Sequence, residues 1–119
     1  MIQKVQPQVD FLAVIRDLLP QDGFFVPELS KMGLRVLLRV PVLAPRTYGT
    51  EGYWGTLGLR VSARVRREGG NPTKAVVSVT GDGGFLFGLQ ELATAAAHGI
   101  GVVTIVFNNL AHGTCDAIS

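Results

Sequence analysis

Cysteine is almost missing from this 119-residue chain. Cys115 is the only one, so no internal disulfide can form, and a small fold stapled by disulfides is excluded. Charge is sparse as well, with 17% charged residues and a net charge of only +2. Long apolar runs are also lacking. The first, Phe11 to Ile15, is followed at once by Arg16 and Asp17, and none approaches the roughly 20 residues of a membrane-spanning helix. Nothing resembles a secretory signal. These absences set the expectation of a cytoplasmic protein with no membrane partner.

What is present is apolar. Hydrophobic residues make up 47% of the chain and mean hydropathy is positive, so a buried core is available and general disorder is excluded. The length suits one small domain rather than two independent cores.

Along the chain, Phe11, Val14, Ile15, Leu18 and Leu19 follow the three-and-four spacing of a helix facing a core. Pro20 and the Asp22-Gly23 pair stop it. Phe24 to Val26 reads as a short strand ended by Pro27. The stretch Ser30 to Arg39 is ambiguous, Pro41 to Ala44 suits a brief strand, and Pro45 to Gly58 reads as a loop with four glycines and the aromatic pair Tyr53-Trp54. Ala75 to Thr80 suits a buried strand, Gly81-Asp82-Gly83-Gly84 a tight turn, and Val102 to Phe107 a second buried strand closed by Asn108-Asn109. Between them Leu86 to His98 reads as one helix, with Leu89, Leu92, Ala93 and Ala96 on one face and Gly99 as its C-cap. An apolar strand, a helix and an apolar strand make a βαβ unit in a parallel sheet, so the expected fold class is α/β.

Ligands of open α/β sheets sit beyond the carboxyl ends of the strands. There the first strand of the unit delivers Asp82 among glycines, and the second delivers Asn109. A carboxylate, an amide oxygen and nearby carbonyls are hard ligands suited to Mg²⁺. Glycines beside a helix start let backbone N–H groups approach a phosphate. Each half alone is a common turn. Together they describe a metal-bridged diphosphate site.

The run Gly81 to Asn109, GDGGFLFGLQELATAAAHGIGVVTIVFNN, resembles the signature of thiamine-diphosphate (ThDP) enzymes, in particular the acetolactate synthase-like branch of 2-oxo acid decarboxylases and carboligases. The upstream run Pro45 to Gly58, PRTYGTEGYWGTLG, resembles the same branch. The resemblance implies the C-terminal, diphosphate- and Mg²⁺-binding domain of such enzymes: a single partial domain over residues 1–119, with its motif region at 75–113. By the same resemblance Asp82 and Asn109 bind Mg²⁺ through side chains, and Ala111 does so through its carbonyl. Gly81, Gly83 and Gly84 lie against the diphosphate. Leu57 props the cofactor in a bent conformation, although an ordinary core leucine is an equal reading of that residue alone. The Gly55 carbonyl accepts from the aminopyrimidine.

Three features depart from the family pattern. The family needs a second, glutamate-bearing domain or subunit, and Glu28, Glu51, Glu68 and Glu91 are the only glutamates here, none in a matching context. The family's sheet continues beyond the point reached at Ser119, and His112 stands where a tyrosine is usual, either as a base facing substrate or as a plain loop residue. His98 reads as a dipole partner at a helix end. Finally, Leu59 to Gly70, LRVSARVRREGG, is basic where the family has a Gly- and Ala-rich helix, as a local reading-frame excursion would produce. No aromatic residue interleaves its arginines for base stacking, so no nucleic-acid partner is expected. The functional expectation is a ThDP- and Mg²⁺-binding fragment of a 2-oxo acid decarboxylase or carboligase, with no catalytic residue of its own and inactive alone. The alternative is a non-catalytic remnant or interaction module that keeps the fold.

Overall fold

Residues 8–33, 36, 40–49, 57–58, 74–108 and 110 are described by the structure, a computed structural model of the chain. Helix α1 (Gln8–Leu18) leads into strand β1 (Phe24–Pro27). Strand β2 (Val76–Gly81) runs directly into helices α2 (Asp82–Gly88) and α3 (Glu91–Ala97), and strand β3 (Val103–Phe107) follows. The strands form one parallel sheet in the order β1-β2-β3, with Pro27 level with Val79 and Gly81 level with Phe107. The α/β class and the βαβ unit expected from the apolar runs are therefore what the chain adopts. The basic segment 59–70 lies outside the described residues.

An isolated helix of 11 residues is marginal in water, so α1 owes its stability to its buried face. That face differs from the expected one. Leu12, Arg16 and Leu19 are buried and Ile15 is half-buried, whereas Phe11, Val14 and Leu18 are exposed. Two stripes of the helix satisfy the same spacing, and the selected one includes an arginine. Its stem is buried because its guanidinium donates to the carbonyls of Leu19 (2.7 Å) and Pro20 (2.9 Å), which the helix end leaves without intrahelical partners. Leu12 and Leu19 join Phe25, Met32, Val36, Val40 and Val79 in the core on one face of the sheet.

Three further expectations are corrected. Pro41 to Ala44 forms no strand, and Pro41, Val42 and Leu43 are exposed. The backbone that pairs with β1 is instead Tyr48, with the Phe25 N–H donating to the Thr47 carbonyl at 2.8 Å and the Gly49 N–H to the Phe25 carbonyl at 3.0 Å. The glycine-rich segment after β2 is no separate turn, because Asp82 already opens α2. The single helix expected over Leu86 to His98 is two. At the break the Gln90 side-chain amide donates to the Phe87 carbonyl at 2.9 Å, and the next bonds, Leu92 to Leu89 and Ala93 to Gln90, span three residues rather than four. Only Ala95 of α3 is fully buried; of the expected face, Leu89, Ala93 and Ala96 are exposed and Leu92 is half-buried.

The end of α3 follows expectation. Gly99 has φ +64°, its N–H donates to Ala96, and the Ile100 N–H donates back to Ala95 at 2.8 Å, the paired bonds of a glycine-terminated helix. His98 caps this end and is exposed.

Candidate functional site

Because the sheet is parallel, the chain leaves all three strands on the same rim. Pro27 passes to Glu28, Gly81 to Asp82, and Phe107 to Asn108. Asp82 is half-buried in the first turn of α2, where a carboxylate is favoured by the exposed N–H groups. The Gly81–Phe107 register sets Asp82 at the level of Asn108 on the neighbouring strand. The Asn108 Oδ1 accepts from the Leu110 N–H at 2.9 Å, and Leu110 takes φ +54°, so the chain turns sharply at this point. The expected ligands Asn109 and Ala111 lie outside the described residues, as do Gly55 and His112. Among the described residues no three of His, Cys, Asp and Glu gather into a metal-binding group. The expected ligand set, one carboxylate with neutral oxygens, does not require such a group.

The diphosphate-side glycines are brought together. Gly81 and Gly83 are half-buried and Gly84 is buried, all at the junction of β2 and α2. The N-cap of α2 is Gly81, which has no side chain to cap the first turn. Leu57 is 39% exposed, so it is not a core leucine and its side chain is accessible beside the site. Gly58 next to it has φ +77°, and its carbonyl lies 2.8 Å from where a Gly88 Cβ would stand. Only glycine at both positions allows the 57–58 turn to lie this close on α2.

Glu28 was missed as a site residue. It is 2% exposed although ionisable, and its carboxylate lies between the two segments just described. Its Oε1 accepts from the Gly58 N–H and its Oε2 from the Thr80 hydroxyl, which also reaches the Gly81 carbonyl at 3.1 Å. A Cβ on Gly84 would land on this carboxylate. The rule that selected Asp82 and Asn109, a polar residue at the carboxyl end of a strand, selects Glu28 when applied to β1. Glu28, Gly58, Ser78, Thr80, Gly84, Phe85 and Gly88 line one small cleft, and the buried Ser78 hydroxyl there has no hydrogen-bond partner among the described residues.

Residues 31–117, well over half of the chain, match the family described as thiamine pyrophosphate enzyme, C-terminal TPP binding domain. The chain belongs to this family. Among relatives of this TPP-binding domain, a probable acetolactate synthase large subunit from Methanocaldococcus jannaschii is 42% identical over 65 residues, covering 55% of this chain and 11% of the relative. A 2-hydroxyacyl-CoA lyase from Oryza sativa subsp. japonica is 35% identical over 102 residues, covering 82% and 18%. In structure, the ThDP-dependent 4-hydroxybenzoylformate decarboxylase of Rhodococcus jostii RHA1 matches with TM-score 0.83 at 26% identity, over 94% of this chain and 21% of that one. The chain thus spans between about a tenth and about a fifth of these proteins' lengths.

The TPP-binding domain's residues fit its cofactor in kind. A helix start with glycine at its N-cap and glycines in its first turn lets N–H donors approach phosphate oxygens. The half-buried Asp82 adds one hard anionic oxygen at the same place. The orphaned Ser78 hydroxyl shows that the adjoining cleft holds unused hydrogen-bonding capacity.

Proposed function

We propose that this chain supplies the diphosphate- and Mg²⁺-anchoring half of a ThDP site in an acetolactate synthase-like decarboxylase or carboligase. The observation that carries the reading is the position of Asp82. It follows β2 directly, opens α2 among glycines, and stands level with the Asn108 end of β3. In this reading Asp82, Asn109 and the Ala111 carbonyl hold Mg²⁺, and Gly81, Gly83 and Gly84 receive the diphosphate. The accessible Leu57 and the Gly55 carbonyl orient the rest of the cofactor. Bound ThDP would supply the means of cleaving the bond next to the carbonyl of a 2-oxo acid. The chain's own residues bind and orient it, and a second, glutamate-bearing domain or subunit supplies the proton transfer. A cytoplasmic setting belongs to the same proposal.

Anchoring alone does not accelerate a chemical step, and general acid–base catalysis contributes about 10²- to 10⁴-fold. The chain alone is therefore expected to release no CO₂ from pyruvate at an enzyme-like rate with ThDP and Mg²⁺. The binding test is an NMR titration of the ¹⁵N-labelled chain with ThDP, with and without Mg²⁺. Mg²⁺-dependent shifts at Gly83 and Gly84 that vanish in Asp82→Ala and persist in Leu57→Ala support the reading. Shifts that ignore both Mg²⁺ and Asp82 sink it.

A further inference from the structure

Glu28 has no part in the anchoring just described, yet among the described residues it is the most thoroughly buried ionisable side chain of the rim. A buried carboxylate is costly unless its oxygens are hydrogen-bonded, and both oxygens of Glu28 are engaged by groups from distant parts of the chain. The Gly58 N–H comes from the turn that carries Leu57, and the Thr80 hydroxyl from the end of β2. Gly84, in the first turn of α2, has no side chain, and the space is filled by the Glu28 carboxylate.

The backbone of Glu28 is fixed as well. Its N–H donates to the Val79 carbonyl at 2.8 Å, continuing the β1–β2 ladder. The Ser30 hydroxyl, 3.4 Å from the Glu28 carbonyl, accepts from the Gly33 N–H at 2.9 Å and so caps the helical residues 31–33. A Cβ on Gly33 would collide with the Glu28 carbonyl, so this turn has no slack.

We infer that Glu28 is a positioning residue: from its fixed place at the end of β1 it ties the Leu57–Gly58 turn to the Gly81–Gly84 segment, setting the separation between the two parts of the cofactor cradle. This inference rests on the ThDP reading for its consequence but not for its geometry. The tie needs an acceptor toward Gly58 and a partner for Thr80, not a charge. In Glu28→Gln the amide oxygen accepts from Gly58, while the amide nitrogen donates to the Thr80 hydroxyl, whose proton turns to the Gly81 carbonyl 3.1 Å away. Glu28→Ala leaves the Gly58 N–H without an acceptor.

The experiment measures amide hydrogen exchange and ThDP–Mg²⁺ binding by NMR in the full chain and in both variants. Loss of one hydrogen bond worth about 1 kcal/mol speeds local opening by about fivefold. Glu28→Ala should therefore raise the Gly58 exchange rate by about that factor or more and leave core amides such as Phe25 within about twofold. Glu28→Gln should restore it. The ThDP concentration at half-saturation should rise about tenfold in Glu28→Ala, about 1.4 kcal/mol, and return in Glu28→Gln. Should Glu28→Ala fail to fold, Thr80→Val removes one of the two ties, and a smaller rise in Gly58 exchange is expected. Unchanged Gly58 exchange in these variants overturns the tie. Faster exchange with unchanged half-saturation overturns the positioning role. A parent chain that does not bind ThDP sinks the cofactor reading and the positioning role with it, while the exchange rates alone still decide the tie.

Discussion

On one side of β2 the sheet is closed over by this chain's own side chains, and on the other the side chains are only partly covered. Toward β1, Phe25, Val26 and Val79 are at most 1% exposed, and Leu12 and Leu19 of the α1 region pack with Met32, Val36 and Val40 against Phe25 and Val79. Toward β3, Val103 is 58% and Val106 37% exposed, and α3 buries only Ala95. Yet β3 keeps five register pairs with β2, one more than β1. Hydrogen-bonded pairing and side-chain burial are therefore separable here. The rim residues follow the same division, since Glu28 is enclosed while Asn108 at the end of β3 is exposed. Position on the sheet's rim alone does not say how firmly a residue is held.

The largest expected effect lies in the closed half. Phe25 is 1% exposed and stacks on Tyr48 with ring centroids 6.4 Å apart. Phe25→Ala should cost about 3–5 kcal/mol, a large share of a small domain's stability. Urea denaturation followed by circular dichroism measures it. A loss below about 1 kcal/mol would dissolve the contrast between the two halves.

A smaller effect is expected at Gly99, on the open half, and its origin separates strain from packing. Among the described residues nothing lies within 4 Å of a Cβ built there, so Gly99→Ala meets no steric neighbour among them. It does force an L-residue to φ +64°, a left-handed conformation costing about 1–2 kcal/mol. Gly99→Asn, which tolerates this region better, should recover part of that cost in the same denaturation assay. Equal stability of all three chains would mean that the α3 end rearranges freely.

Much of this division was legible in the sequence, and the failures have physical causes. The three strands stand within about a residue of their expected limits because β-branched runs bounded by Gly, Pro and Asn leave few alternatives. The existence of α1 was legible but its buried face was not. Two stripes share one spacing, and the chosen one depends on Arg16 reaching two carbonyls beyond the helix. The α2–α3 break was hidden because it depends on the Gln90 side chain and on Gly58 lying against Gly88, a contact between residues 30 positions apart. Asp82 was readable because glycines frame it. Glu28 was not, because its partners Gly58 and Thr80 are distant in the chain and a lone glutamate after a proline carries no local signature.

The smallest expected effect tests the open half most directly. Val103 begins β3, pairs with Val77 through the backbone, and keeps 58% of its surface exposed. Removing an exposed side chain forfeits little transfer free energy, and surface substitutions away from special features fall within about 0.5 kcal/mol. Val103→Lys should therefore leave the urea midpoint almost unchanged. Its effect should appear in association instead. Among the described residues β3 has a strand on only one side, and an apolar edge strand invites pairing with another chain, which natural sheets suppress with lysine. Sedimentation velocity at rising protein concentration should show less self-association for Val103→Lys than for the parent chain. A stability loss above about 2 kcal/mol would mean that Val103 is packed after all, and the two halves of the sheet would then be alike.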